Sequence, residues 1–224
     1  MLGAMPDASA AARLLITADD YGYSRRYDEG ILRAAGVRAI DAAGAMVLRD
    51  PDPGPLLATG IEIGLHVEVP DEAPPSAGAA ERLLGEQLRR FEQLFERSPD
   101  YLDGHHQRHA EPPLRGAIVA LGAGLGVRVR SVDPAHREEL RDAGAVTPDR
   151  LIGRSRPEGP LVPLQIAAVE GGGAPPSGLT EWMVHPGLPD PSSGSSYDAA
   201  RQEDLDEVVR LARDEMIRDW RGCP

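Results

Sequence analysis

Residues 14–22 have the sequence LLITADDYG, in which a short apolar run ends abruptly in two carboxylates. The run Leu14–Ala18 predicts a buried strand, because it is short, apolar and followed by polar and turn-forming residues. Ser24 is a residue type that caps helix N-termini, and it predicts a helix that follows the strand directly. Since α/β folds place functional residues just after their strands, Asp19 and Asp20 are candidate site residues.

The same alternation of short apolar runs with longer amphipathic segments continues along the chain. Without a break in composition, it predicts one α/β domain built on a parallel sheet or barrel. We expect residues 13–224 to form this domain and residues 1–12 to be a flexible N-terminal extension. The other predicted strands are 45–48, 61–66, 101–103, 127–130, 164–169 and 180–184; the predicted helices are 25–36, 80–97, 114–125, 134–143 and a C-terminal helix through Leu205, Val208, Leu211, Ala212 and Met216.

The charged residues exclude several classes of function. All 24 basic residues are arginine, and 36 acidic residues bring the formal net charge to −12. Without lysine the chain can form no Schiff base and no Walker-type phosphate site, and without asparagine it has no N-glycosylation acceptor. A negative charge of this size argues against nucleic-acid and anionic-membrane partners. The sequence has one cysteine, no apolar run of about 18 residues and no signal-peptide pattern, so we predict a cytoplasmic protein.

Four polar clusters follow predicted strands, and five of the six histidines lie in them. Two adjacent carboxylates are stable at one site if a cation lies between them or if one holds a proton. Imidazole is a good ligand for Zn, Fe, Co and Ni, so histidines beside this pair indicate a metal site, although isolated histidines are often core or loop residues. One carboxylate and two histidines with open positions are typical of a catalytic metal. The clusters are Asp19–Asp20, His66, Asp103-Gly104-His105-His106-x-x-His109 and His185-Pro186-Gly187.

In these clusters the chain resembles the YdjC-like carbohydrate deacetylases, the group that includes the chito-oligosaccharide deacetylases. The resemblance extends over residues 13–187 in the family's order, and it implies a single-domain α/β fold, a distorted TIM-type (βα) barrel. It also implies a metal-dependent hydrolase that removes the N-acetyl group from an amino sugar or short oligosaccharide. The matching segments are Leu15–Gly22, Ile63–Val67, Tyr101–His109, Val129–Arg130 and Glu181–Gly187.

The resemblance implies a metal centre made of three of these residues. Asp20, His66 and His105 would bind one divalent ion, with Zn favoured and Mg, Mn, Co and Fe as alternatives. Such an ion would polarise a carbonyl oxygen and activate a water molecule for hydrolysis.

The resemblance implies acid–base roles for three others. Asp19 would be the catalytic base, Arg130 would hold it ionised, and His185 would be the acid that protonates the departing amine. The expected partner is a small carbohydrate substrate, and a homodimer is left open. The predicted substrate-binding residues are Tyr21, Glu68, His106, His109 and Trp182.

Three positions depart from the family's pattern. Ala42 and Leu48 stand where the family usually has Ser and Asn, and Glu68 stands where it often has Asn. These changes leave the implied reaction intact but place the substrate in question. Two alternatives therefore stay open: another single-metal amide, ester or phosphoester hydrolase on the same barrel, and a barrel that binds a ligand without turnover.

Overall fold

The computed structural model describes residues 13–69, 76–154 and 178–213. All strand pairs are parallel, in the order β5-β4-β3-β2-β1-β7-β6. The strands are β1 (Arg13–Tyr21), β2 (Ala42–Ala45), β3 (Glu62–Val67), β4 (Tyr101–Gly104), β5 (Arg128–Val129), β6 (Arg150–Gly153) and β7 (Leu179–Val184). The helices are α1 (Arg25–Gly36), α2 (Pro53–Leu57), α3 (Ala77–Phe95), α4 (Leu114–Leu125), α5 (Pro134–Asp142) and α6 (Asp198–Leu211).

The sheet is curled, as the reach of one arginine demonstrates. Four strand spacings separate β5 from β1, which would be about 19 Å in a flat sheet. Yet Arg130, which directly follows β5, donates two hydrogen bonds of 2.7 Å to Asp19 on β1. The two strand ends must therefore curve towards each other, so the sheet forms a half-barrel whose C-terminal strand ends converge.

The predicted α/β fold class is confirmed, but the TIM-type form of the predicted distorted barrel is not. Within the part of the chain that the structure describes, the sheet has seven strands, and no pairing joins its edge strands β5 and β6. The same residues contain no helix long and apolar enough to cross a membrane. The expectations for residues 1–12, for a strand at 164–169 and for Met216 lie outside the described residues.

Most predicted elements are confirmed close to their expected bounds. Ser24 caps α1 by accepting a hydrogen bond of 3.3 Å from the backbone nitrogen of Tyr27, and α4 has the predicted ends. The strand predicted at 45–48 is wrong, because β2 is the small-residue segment Ala42–Ala45 and a short 3-10 turn follows it. Its small side chains leave room for the neighbouring strand: a Cβ on Gly44 would lie 3.2 Å from Nδ1 of His66.

Helix α1 lies directly against the loop that carries His185. The backbone nitrogen of Leu188 donates a hydrogen bond of 3.1 Å to the carbonyl of Arg26. A Cβ on Gly30 would lie 2.8 Å from the carbonyl carbon and 2.9 Å from the nitrogen of Gly187. The atoms in contact are the backbone of Gly187 and the surface of α1 at Gly30, so no side-chain rotation can make room for a larger residue.

We therefore expect Gly30→Ala to destabilise the protein by about 1–3 kcal/mol, the usual cost of overpacking. Chemical denaturation measures this change. Gly36→Ala is the matched control, because Gly36 belongs to the same helix and a Cβ there would meet nothing within 4 Å. Equal stability changes in the two variants would contradict this account of the α1–loop contact.

Candidate active site

A cavity of about 570 Å³ opens at the C-terminal ends of the strands. Its polar side carries Asp19, Asp20, His105 and His185. Its lining also includes four apolar side chains from β6, β7 and the segment after β5. The apolar lining residues are Val132, Leu151, Ile152 and Met183.

A bulge at the end of β1 brings both carboxylates into this cavity. Successive side chains of a regular strand point to opposite faces, so Asp19 and Asp20 would ordinarily diverge. The pairing of β1 with β2 shifts register between Ala18 and Tyr21, and Asp20 has a positive φ of 73°. The regular alternation is interrupted there, and both aspartates line the cavity.

The three predicted metal ligands converge on one oxygen. Oδ1 of Asp20 lies 3.2 Å from Nε2 of His66 and 2.8 Å from Nδ1 of His105. One donor atom from each residue lies within 4.8 Å of the other two. Burial favours the neutral form of Asp20, but the hydrogen bond from His105, the adjacent His66 and the charge of Arg201 outweigh it and hold the pKa of Asp20 well below its usual value. A carboxylate oxygen and two imidazole nitrogens suit a divalent cation.

Asp103 orients the His66 ring through the ring nitrogen that does not face Asp20. Nδ1 of His66 donates a hydrogen bond of 2.8 Å to Oδ1 of Asp103, and both side chains are buried. A proton on Nδ1 leaves the lone pair on Nε2, which lies beside Asp20 and has no satisfactory hydrogen-bond partner among the described residues. Metal-binding histidines are commonly held by such a carboxylate. The geometry therefore makes Nε2 a candidate metal ligand.

Arg130 binds three carboxylates in the interior of the half-barrel. Its two terminal nitrogens donate to the two oxygens of Asp19 at 2.7 Å, and Nε donates to Oε1 of Glu181 at 2.8 Å. Nη2 also lies 2.9 Å from Oδ2 of Asp103. Burial would raise the pKa of Asp103, but the charges of Arg130 and His66 lower it to about 2. The guanidinium thus favours the charged form of Asp103 and fixes the plane of the Asp19 carboxylate.

His185 faces the same aspartate from the end of β7. Its Nε2 lies 4.0 Å from Oδ2 of Asp19, and its ring centroid is 4.5 Å from that of Tyr197. The backbone nitrogen donates to Oδ2 of Asp204 at 2.9 Å. Burial lowers the pKa of His185, and the charges of Asp20 and Asp19 oppose that shift. The imidazole is therefore held at the cavity beside the predicted base.

Sequence reasoning missed Arg201, which contacts the metal-ligand candidate Asp20. Its Nη2 donates a hydrogen bond of 2.6 Å to Oδ2 of Asp20 across 181 positions of sequence. The prediction for α6 used its apolar residues, and an arginine on an amphipathic helix is normally taken as solvent-exposed. Arg201 is in fact 1% exposed.

Two of the predicted substrate-binding residues lie at cavities. His106 lines the main cavity and also a neighbouring cavity of about 340 Å³, and its ring stacks on His105 with a centroid distance of 3.9 Å. Glu68 lines the second cavity, where Oε1 accepts a hydrogen bond of 2.8 Å from Arg49. Leu48 also lines this cavity, whereas Ala42 is buried within β2.

The other three predicted substrate contacts line neither cavity. The hydroxyl of Tyr21 donates to the carbonyl of Asp52 at 2.7 Å, beyond the bulge that turns its side chain away. His109 is buried with Nε2 3.0 Å from the carbonyl oxygen of Arg130. Trp182 packs in the hydrophobic core, on the face of β7 opposite to Glu181. The structure places these three where they support the barrel wall.

Comparison with known proteins gives a family and several relatives. The model of the YdjC-like protein family matches residues 71–219. A chitooligosaccharide deacetylase of Klebsiella pneumoniae is 25% identical, with 92% of this chain and 94% of that protein aligned. A carbohydrate deacetylase of Geobacillus stearothermophilus is 27% identical over 85% of this chain and 86% of that protein. A chitooligosaccharide deacetylase of Citrobacter koseri is 31% identical, but the chain spans only 58% of its length.

Comparison with solved structures supports the fold. A crystal structure from Enterococcus faecalis V583, of a protein named for cellobiose-phosphate cleavage, superposes with a TM-score of 0.74. The two sequences are 20% identical, and the match covers 93% of this chain and 95% of that one. At this identity the likeness concerns the backbone architecture alone.

Proposed function

Because the chain belongs to the YdjC-like protein family, we propose that it is a metal-dependent carbohydrate deacetylase acting on an N-acetylated amino sugar or short oligosaccharide. One observation carries the proposal: donor atoms of Asp20, His66 and His105 lie within 4.8 Å of one another, and two of these residues, Asp20 and His105, line the cavity together with Asp19. The family supplies the substrate class, and the site supplies groups suited to metal-assisted hydrolysis.

The charge of the buried cluster supports a single divalent ion. Four buried carboxylates, those of Asp19, Asp20, Asp103 and Glu181, contact two buried guanidiniums, those of Arg130 and Arg201, while the third buried arginine, Arg154, pairs with the buried Asp204. With the imidazoles neutral, as metal binding requires, and with all four carboxylates ionised, the cluster carries two uncompensated negative charges. Burying unpaired charge is costly, and one divalent cation balances this cluster. A second cation near Asp19 and Asp103 is unnecessary, because the guanidinium of Arg130 already binds both.

Each reacting group has a distinct position in this scheme. A divalent ion bound by Asp20, His66 and His105 would polarise the acetyl carbonyl and lower the pKa of a water molecule. Asp19 accepts the proton of the attacking water on its carboxylate. A carboxylate has about four lone-pair sites, so Asp19 can accept this proton while its two hydrogen bonds from Arg130 hold it in place.

His185 acts at the other end of the scissile bond. An amine leaving group is too basic to depart without a proton, and His185 in its protonated form supplies one from the imidazole ring. Its Nε2 lies 4.0 Å from Asp19, so both proton-transfer groups serve one reaction centre. The apolar side of the cavity, including Met183 and Ile152, is suited to the methyl group of the acetyl moiety.

The direct test is acetate release by the purified protein from a panel of N-acetylated mono- and disaccharides. We expect release that disappears after chelation and returns when Zn, Mg, Mn, Co or Fe(II) is added, with metal analysis giving one ion per chain. A parallel panel of phosphoesters separates deacetylation from phosphoester hydrolysis. A folded protein that binds no metal and releases no acetate would contradict the proposal and favour a ligand-binding barrel.

His185→Ala should reduce amide hydrolysis by about 10²-fold or more, the usual loss when a general acid is removed. Hydrolysis of an activated acetate ester should fall much less, because its leaving group needs no proton. Rates on an N-acetylated sugar and on p-nitrophenyl acetate measure the difference. Equal losses on both substrates would show that His185 is not the acid.

A further inference from the structure

The two oxygens of Asp20 have different partners. Oδ1 lies beside His66 and His105, whereas Oδ2 accepts a hydrogen bond of 2.6 Å from Nη2 of Arg201. Both Asp20 and Arg201 are 1% exposed. The carboxylate therefore has one oxygen directed to the candidate metal centre and the other held by a buried cation.

Arg201 is itself enclosed, so this hydrogen bond is well defined. Its guanidinium carbon lies 3.8 Å from the ring centroid of Tyr27 and 5.7 Å from that of Tyr23. The loop after β7 also packs against Arg201, and the backbone nitrogen of Gly187 donates a hydrogen bond of 3.2 Å to the carbonyl of Arg201. A Cβ on Gly187 would lie 3.0 Å from Cδ of Arg201, so the loop approaches the arginine as closely as glycine permits.

The hydrogen bonds of Arg201 point to a role beyond packing. Its Nε and Nη1 have no hydrogen-bond partner within the described ranges, which leaves Asp20 as the side chain that its guanidinium binds. Burying a cation with two unsatisfied donors is costly compared with burying an apolar side chain of similar volume. The compensating interaction is the one with Asp20 and, more weakly, those with the two aromatic rings.

We propose that Arg201 is a positioning residue that withholds Oδ2 of Asp20 from the metal, so that Asp20 ligates through one oxygen only. This inference rests on the metal-dependent function proposed above. A carboxylate can bind a metal through one or two oxygens, and a second oxygen would take a position that substrate or water needs. Arg201 keeps that position open. It also weakens metal binding, because its positive charge would lie close to the bound cation.

Removing the charge of Arg201 should therefore tighten metal binding while impairing ligand binding at the metal. Two charges separated by one carboxylate interact strongly at protein dielectric, so the change in metal affinity should be at least about tenfold. A merely structural role predicts the reverse pattern, in which the loss of packing weakens metal binding and stability together.

Co²⁺ is the probe that tests both effects, since its visible absorption reports its ligands. Chelator competition on apo-protein should give a Co²⁺ dissociation constant at least about tenfold lower for Arg201→Met than for the unchanged protein. Acetate, added as a probe of the open positions, should perturb the Co²⁺ spectrum only at concentrations about tenfold higher in the variant. Arg201→Lys retains the positive charge and a hydrogen-bond-donating ammonium group, so it should restore both values towards those of the unchanged protein.

Arg154→Met is the matched control for loss of a buried arginine. Arg154 is 6% exposed and lines the same cavity, but it pairs with Asp204 and Glu203, each at 3.1 Å, and not with a candidate metal ligand. The Co²⁺ affinity of Arg154→Met should therefore change far less than that of Arg201→Met. If Arg201→Met does not fold, Arg201→Gln carries the same expectation, because it is also neutral. Unchanged or weaker Co²⁺ binding by the neutral variants, or an unchanged acetate response, would overturn the inference. Failure of the unchanged protein to bind Co²⁺ would instead contradict the proposed function.

Discussion

Asp19→Asn should reduce acetate release by about 10³-fold while the protein still binds its metal. Asparagine cannot accept the proton of the attacking water, and losing a general base costs about 10²–10⁴-fold. The variant should fold, because Arg130 keeps its contacts with Asp103 and Glu181 and the amide oxygen still accepts one of the two hydrogen bonds that Arg130 now donates to Asp19, although the other is lost. Acetate assays and metal analysis on the same preparation measure the two properties together.

His66→Ala is the contrasting variant for this prediction. It removes Nε2, one of the three candidate donors, and leaves Asp103 without its imidazole partner. Both activity and bound metal should be lost, whereas Asp19→Asn should lose activity alone. If Asp19→Asn also released its metal, Asp19 would be a ligand, and the division of roles between the two adjacent aspartates would be wrong.

The sequence predicts the positions of the site residues better than it predicts their contacts. Each polar cluster follows an apolar run, and parallel strands place such junctions at one edge, so Asp20, His66 and His105 can be expected near one another. Strand alternation also directs the side chains of Trp182 and Glu181 to opposite faces of the sheet. The predicted substrate contacts do not take this alternation into account, because they include Trp182. The sequence can thus predict that each polar cluster lies at a strand end, because the cluster and its strand are adjacent in the chain.

The parts that the sequence does not predict depend on non-local geometry. The bulge that directs Asp19 and Asp20 into one cavity has no signal in LLITADDYG, because it arises from the register of β1 against β2. The strand β2 consists of alanine and glycine, with Gly44 close against His66, so an apolar-run criterion misplaces it. Arg201 reaches Asp20 from 181 positions away, and nothing in an amphipathic helix marks one arginine as buried.

Arg130 presents the largest expected effect on stability. Arg130→Met would leave Asp19, Asp103 and Glu181 buried without the guanidinium that now contacts all three. Removing one partner of a buried ion pair typically costs about 3–5 kcal/mol, because the remaining charge is uncompensated. We expect a loss in this range in chelator-treated protein at neutral pH, measured by chemical denaturation.

Arg128→Met is a suitable control, since Arg128 lies two positions earlier and pairs at 2.6 Å with Glu62, whose side chain is 45% exposed. Exposed pairs of this kind contribute at most about 1 kcal/mol, so the control should lose far less stability. Similar losses in the two variants would contradict the view that Arg130 stabilises the buried carboxylates.

The pH dependence of stability distinguishes lost charge compensation from lost packing. In the unchanged protein the pKa of Asp103 is about 2, below its ordinary value of 3.8, so its contribution to stability is present above about pH 4 and disappears as the pH falls towards 2. In Arg130→Met the buried carboxylates lose their cation, and their pKa values should rise above the ordinary range. A raised carboxylate pKa makes the folded state bind protons more readily than the unfolded state, so the variant should gain stability as the pH falls from 7 towards 5. The stability difference between the two proteins should therefore narrow in mild acid, whereas a pure packing defect would leave it constant.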